Sequence, residues 1–178
     1  MRQLLFLALI ATTPILLNSC TVNKDFSFGL DREFVVNNYS STTYSRSDTA
    51  DANKASSDFT KYKSDMQSLE IERATYTITS FSGSATQTIV SGSLAVSDIR
   101  GGTSITLASI SNVNLSSVAA MTQELPLSDA GKQFFKDQLL GSAGAAILTF
   151  SATTNETPIT FTVRFHFDIK ATYEKSFP

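Results

Sequence analysis

The sequence predicts a mainly β fold: an antiparallel β-sandwich or open barrel of about six or more strands, with two short helices. Two observations lead to this fold class. Ser and Thr account for 47 of the 178 residues, and Thr is favoured in strands while Ser is favoured in turns and on exposed faces. Apolar and polar residues also alternate without exception from 159 to 174, which is the pattern of a half-buried strand. Because the alternation does not separate a sandwich from a barrel, both architectures stay open.

The first half of the chain predicts two strands separated by a helix. Residues 26–36 alternate and predict a strand, and Leu69 to Phe81 predicts another, with a bulge near Arg73 where the apolar phase shifts. Between them, apolar residues recur at steps of three and four and predict one helix over 52–66. The residues of this stripe are Ala52, Ala55, Phe59, Tyr62 and Met66.

The second half predicts two hairpins separated by a helix. Gly101-Gly102 predicts a two-residue turn that places Val96 opposite Leu107. A helix is predicted from Asp129 to Leu140, because Ser128 is a good N-cap and Gly141 a good stop. Residues 145–153 and 159–174 are predicted to pair as the last hairpin. The buried residues of the helix over 129–140 are predicted to be Phe134, Phe135 and Leu139.

The N-terminus has the three-part plan of a secretory signal peptide. Arg2 gives a positive start, and an apolar run follows to Leu17. That run is too short for a membrane span, which needs ~20 apolar residues. Leu17-Asn18-Ser19-Cys20 then resembles the lipobox of bacterial lipoproteins. The resemblance implies that the signal is cleaved before Cys20 and that the Cys20 thiol carries the lipid, with an acyl chain such as palmitate added to the new N-terminus.

This resemblance defines the expected organisation and location. Residues 1–19 are the cleaved lipoprotein signal peptide, 20–25 a short tether and 26–178 a single β-rich domain. The protein is expected to be exported and lipid-anchored to a bacterial membrane, with the outer membrane favoured and the periplasmic or surface face left open.

Cys20 is the only cysteine, so a disulfide framework is excluded. A net charge of −2 without a basic stripe argues against nucleic acid as a partner.

Motifs for catalysis, metals and cofactors are scarce. The chain has one His and one Cys, which excludes the usual zinc sites, and it has no P-loop and no G-x-G-x-x-G. His166 and Asp168 share a strand face and would need a serine to form a hydrolase site. A solvated strand face is the commoner interpretation of that pair. We therefore expect no catalytic residue, no metal and no cofactor.

Two features suggest binding or modification. Tyr39 and Tyr44 lie in the polar stretch NNYSSTTYSRS, which predicts a loop for an unknown protein or glycan partner. Asp48-Thr49-Ala50 resembles the short O-glycosylation motif of some exported bacterial proteins, which implies Thr49 as the acceptor.

The leading hypothesis is a membrane-anchored, non-enzymatic cell-envelope lipoprotein with a binding or structural role. One alternative is a carrier of an apolar ligand inside a β-barrel, since the chain has 13 Phe residues. The cavity of this carrier would be lined by Phe150, Phe161, Phe165 and Phe167. The other alternative is a hydrolase that uses His166.

Overall fold

Two four-stranded antiparallel sheets pack face to face in the computed structural model, which describes residues 20–177. The predicted signal peptide, residues 1–19, lies outside the described residues. The strands are β1 (Cys20–Asn38), β2 (Thr43–Asp51), β3 (Met66–Ser82), β4 (Thr88–Ser97), β5 (Ser104–Asn114), β6 (Thr122–Glu124), β7 (Ala145–Thr154) and β8 (Ile159–Phe177). Sheet A has the order β1-β8-β3-β6, and sheet B has the order β2-β7-β4-β5. The mainly β prediction is confirmed, and the architecture is a sandwich.

Strand alternation builds a core between the two sheets. Phe150 of β7 and Phe165 of β8 meet across the sandwich with ring centroids 5.4 Å apart. Phe34 of β1 packs against both rings, at 5.9 Å from each. All three side chains are at most 1% exposed. Tilted and edge-on aromatic contacts of this kind add to the stabilisation that burial alone provides. Both sheets therefore rest on one shared aromatic core.

The predicted final hairpin is wrong, because β7 and β8 belong to different sheets. β8 pairs with β1 and β3, and β7 pairs with β2 and β4. Two strands with one apolar face each can bury those faces side by side in one sheet or opposite each other in a sandwich. Their alternation is the same in both arrangements, so the pattern that predicts the strands does not predict their pairing.

A longer loop replaces the two-residue turn that was predicted at Gly101-Gly102. The carboxylate of Asp98 accepts a hydrogen bond from the backbone amide two residues on, at 2.6 Å. Asp readily forms such local bonds to the backbone, and they compete with a tight hairpin turn. The strands pair only up to Ser97 and Ser104, so Val96 lies opposite Ile105 rather than Leu107.

The single helix that was predicted over 52–66 is divided. It consists of α1 (Ala52–Ala55), α2 (Ser57–Tyr62) and a 3₁₀ turn (Lys63–Asp65). Ser56 has an extended backbone, and its hydroxyl accepts a hydrogen bond from the Phe59 amide at 3.1 Å. Serine at this position caps a new helix instead of continuing the previous one.

The helix that was predicted from Asp129 to Leu140 has the same bounds in the structure. A short helix, α3 (Leu115–Val118), precedes it, and the predicted helix is α4 (Asp129–Leu140). The Ser128 hydroxyl accepts a hydrogen bond from the Gly131 amide at 3.1 Å, as an N-cap should. Phe135 and Leu139 are buried, whereas Phe134 is only half-buried.

Residues 20–25 are ordered as the start of β1 rather than as the predicted tether. They pair in register with the end of β8, from Cys20 opposite Phe177 to Asp25 opposite Thr172. Lys170 Nζ and Thr172 Oγ1 each lie 2.8 Å from a carboxylate oxygen of Asp25. Backbone pairing needs no apolar side chains, so this polar stretch can extend a strand.

The predicted bulge near Arg73 is confirmed, because the β3–β8 register shifts between Ile71 and Arg73.

Candidate functional site: the two outer faces of the sandwich

The outer face of sheet A carries a charged cluster around His166. Nδ1 of His166 lies 2.8 Å from Oδ1 of Asp31, and Nε2 lies 3.0 Å from Oδ1 of Asp168. The Arg164 guanidinium binds the same Asp31, with contacts of 2.9 and 3.1 Å. The period-two spacing of 164, 166 and 168 puts these side chains on one face. The antiparallel register then brings Asp31 of β1 directly opposite His166 of β8.

The two carboxylates favour the protonated form of His166. Partial burial of the ring lowers its pKa, but the hydrogen bonds to Asp31 and Asp168 outweigh that effect, so the pKa is raised. For Asp31, burial raises the pKa, and the hydrogen bonds from Arg164 and His166 outweigh it, so the pKa is lowered. A protonated imidazole has two N–H donors, one for each carboxylate.

His166 therefore has two fixed partners, which the interpretation of a solvated strand face did not include. Its partner Asp31 lies on β1, and only the strand register reveals that contact. The imidazole also covers Gly29, where an added Cβ would lie 2.8 Å from Cε1 of the ring. Glycine in a strand often marks such a close approach. Because carboxylates occupy both ring nitrogens, a serine nucleophile would have to displace one of them.

Further ion pairs extend across the outer face of sheet A. The Arg73 guanidinium of β3 binds the Glu124 carboxylate of β6. At the other side of the sheet, Lys170 of β8 binds Asp25 of β1. Exposed pairs of this kind each contribute ~0–1 kcal/mol to stability. We name this surface the charged face; many of its charges are neutralised by one another.

The outer face of sheet B is built from hydroxyl groups. Sixteen of its outward positions form four rows of four residues across β2, β7, β4 and β5, and the partly buried Asp51 at the end of β2 lies beyond the last row. Fourteen of the sixteen are Ser or Thr, and none is charged. We name this surface the hydroxyl face. Its rows are Thr43–Thr153–Ser91–Ser111, Ser45–Ser151–Ser93–Ser109, Ser47–Thr149–Ala95–Thr106 and Thr49–Ile147–Ser97–Ser104.

A shallow groove of about 360 Å³ crosses the strands between the first two rows of the hydroxyl face. Its floor is formed at the inward-pointing positions Tyr44, Ala152 and Gly92. Outward residues on both sides form its walls, and two positions along a strand are ~7 Å apart, which sets the spacing of the walls. The wall residues are Thr43, Thr153, Ser91, Ser151 and Ser93.

Tyr39 and Tyr44 do not share one exposed loop, so that part of the binding-loop prediction is wrong. Tyr39 is 74% exposed in the connection between β1 and β2. Tyr44 lies within β2, where its ring packs 6.0 Å from that of Phe150 and its hydroxyl donates to the Val35 carbonyl at 3.0 Å. Residues 43–47 of the polar stretch instead belong to the edge strand β2, where Thr43, Ser45 and Ser47 lie in the rows of the hydroxyl face.

Thr49 lies in the last row of the hydroxyl face, on the edge strand β2, and is exposed. Its backbone amide donates to the carboxylate of the neighbouring Asp48 at 2.8 Å. Its role as a glycosylation acceptor stays a prediction.

Cys20, the predicted lipidation site, is the first residue of β1.

The four Phe residues that were assigned to a carrier cavity are core residues. Phe150 and Phe165 contact each other, and Phe167 packs against Phe135 with centroids 5.3 Å apart. Phe161 is fully buried. These rings fill the space that an apolar ligand would need, so the packing argues against the carrier alternative.

Residues 20–177 contain neither a cluster of metal ligands nor a membrane-spanning helix. No cluster of three or more His, Cys, Asp or Glu side chains in this range could hold a metal ion. No helix in the same range is long and apolar enough to cross a membrane.

No family model matches the chain, and no curated protein matches it. Among solved structures, the decameric BFDV capsid protein is similar at a TM-score of 0.41 and 12% identity, over 83% of this chain and 99% of that one. Desmodium yellow mottle tymovirus is similar at a TM-score of 0.31 and 13% identity, over 100% of this chain and 96% of that one. At these values neither similarity bears on function.

Proposed function

We propose that this chain is a membrane-anchored, non-enzymatic lipoprotein of the bacterial cell envelope, and that its domain presents a binding surface. The observation that carries the proposal is the position of Cys20. This only cysteine ends a lipobox-like sequence and is also the first residue of β1.

The connection between the anchor and the domain would be short and stiff. Residues 20–25 are paired with β8, and β1 continues into the core through Leu30 and Phe34. A lipid on Cys20 would therefore join the membrane to a core strand without a flexible linker. Each buried methylene of a lipid chain contributes ~0.8 kcal/mol to membrane binding, so more than one acyl chain gives a stable anchor.

The surroundings of His166 support a non-enzymatic role. A general base must reach the proton that it removes, either directly or through one water. Both nitrogens of this imidazole are instead engaged by Asp31 and Asp168, at 2.8 and 3.0 Å. The cluster is thus arranged as a structural charge network on a regular sheet.

Lipidation can be tested by expressing the full chain and a Cys20→Ser variant in a bacterium fed an alkyne-labelled fatty acid. We expect the wild type to carry the label and to sediment with membranes, and the variant to lose both properties. A Ser27→Ala variant, altered on the exposed part of β1, is the matched control. Labelling of the Cys20→Ser variant, or its retention on membranes at the wild-type level, would contradict the proposal.

A further inference from the structure

We propose that the hydroxyl face binds a neutral polysaccharide, whose chain lies in the groove across β2, β7 and β4. This inference deepens the proposed binding role and rests on it. It is carried by two parallel rows of Ser and Thr hydroxyls that wall a groove on an uncharged sheet face.

The absence of charge selects an uncharged partner. None of the sixteen residues in the four rows is charged, whereas the outer face of sheet A carries ion pairs on all four strands. A charged polymer on the hydroxyl face would lose water without gaining an opposite charge, which is unfavourable. The contrast within one molecule therefore favours a neutral partner for this face.

The hydrogen-bond donors and acceptors of the hydroxyl face match those of a polyol. Each Ser or Thr hydroxyl has one donor and two acceptor positions, as each sugar hydroxyl does. Ser45–Ser151 and Ser47–Thr149 bond each other at 2.8 Å. Within residues 20–177, by contrast, the Ser91 and Ser93 hydroxyls in the groove walls have no hydrogen-bond partner. An apolar partner would leave these groups unsatisfied, whereas a sugar chain can satisfy them.

The area of the hydroxyl face favours a polysaccharide chain over a second folded protein as the partner. Four strands and four rows span about 19 Å by about 27 Å, or ~500 Å², from the usual strand spacings. A stable protein–protein interface buries ~800 Å² on each partner. A linear polymer needs only the groove, which crosses three strands and is open to solvent.

The test measures binding of the full chain, in detergent, to an array of neutral glycans: β-glucans, chitin oligomers, α-glucans, mannans and xylans. Alginate and heparin serve as charged comparisons. We expect wild-type binding to at least one neutral class and to neither charged polymer. Ser93→Arg, which places bulk and charge in the groove wall, should weaken that binding at least tenfold. Ser68→Arg, the same change at an exposed β3 position on the charged face, should stay within twofold.

A second variant guards against misfolding of Ser93→Arg. Ser91→Ala combined with Ser93→Ala removes two hydroxyls without adding bulk, and we expect it to weaken glycan binding at least threefold with an unchanged melting temperature. Binding to no neutral glycan, binding only to charged polymers or to a protein, or wild-type affinity in both groove variants would overturn the inference. None of these results alters the lipid-labelling test, so failure of the glycan site and failure of the anchor are distinguishable.

Discussion

The two outer faces of the sandwich rest on one core and follow the same strand alternation, yet they differ in chemistry. The charged face joins its strands by ion pairs such as Arg164–Asp31 and Arg73–Glu124. The hydroxyl face has fourteen Ser or Thr among sixteen outward residues. A sandwich requires only that outward positions tolerate water. The fold therefore does not dictate the difference, which we attribute to what each face meets.

The two faces differ in how their polar groups are satisfied. On the charged face, many polar groups find their partners within the protein, so this surface is largely satisfied by itself. On the hydroxyl face, groups such as the Ser91 and Ser93 hydroxyls are directed to solvent or to a partner. We expect the charged face to affect stability and its pH dependence, and the hydroxyl face to affect binding.

The largest expected effect tests whether both faces share one core. Phe165→Ala on the sheet A side and Phe150→Ala on the sheet B side should each lower the unfolding free energy by ~3–5 kcal/mol, the usual cost of removing a buried Phe ring. Tyr39→Ala, at a 74% exposed site, is the control and should change it by less than about 0.5 kcal/mol. Urea denaturation measures all three. A cost below about 1 kcal/mol for only one of the two Phe variants would mean that the sheets do not share the core as described.

A smaller effect tests the fixed position of His166 on the charged face. Gly29→Ala would put a Cβ 2.8 Å from Cε1 of the imidazole, and such overpacking typically costs about 1–3 kcal/mol. The same substitution should cost much less when His166 is already Ala, because the obstructing ring is gone. Equal costs in the two backgrounds, measured by urea denaturation, would show that the ring does not cover Gly29.

The sequence predicted the strands better than their partners. Alternation gave the individual strands, including β8, because the pleat repeats every two residues. The pairing of β8 with β1 and β3 depends on contacts between distant segments, which alternation does not encode. The edge strand β2 was missed because its Ser and Thr residues resemble a polar loop.

The two candidate surfaces were predictable to different degrees. Arg164, His166 and Asp168 could be placed on one face from their spacing alone, but their partner Asp31 required the register. The hydroxyl face combines four separate strands, each of which alone looks like an ordinary polar surface. The high Ser and Thr content was the only signal of it in the sequence.

The pH dependence of stability should reflect the cluster around His166. Its folded pKa is raised above 6.5, so its stabilising contribution is complete below pH 6.5 and is lost as pH rises through the folded pKa. The lowered pKa of Asp31 gives a contribution that is present above pH 3.8 and is lost on acidification through its folded pKa. Because the His166 side chain is 37% exposed, solvent screening limits its contribution to a fraction of a kcal/mol.

Urea denaturation of the wild type and His166→Gln at pH values from about 5 to about 9 checks this expectation. The wild type should be the more stable protein near pH 5, and the difference between the two should shrink as pH rises. A difference that stays constant across this range, or that grows with pH, would contradict the raised pKa of His166.

The most direct test of the central claim compares two triple variants in the same two assays. Asp31→Ala/Arg164→Ala/His166→Ala alters the charged face, and Ser91→Ala/Ser93→Ala/Thr153→Ala alters the hydroxyl face. Unfolding free energy and retention on the neutral glycan bound by the wild type are measured for both. We predict that the charged-face variant loses stability and keeps retention, and that the hydroxyl-face variant loses retention and keeps its stability. If both variants lose the same property, or if the two losses are exchanged, the division of roles between the faces is contradicted.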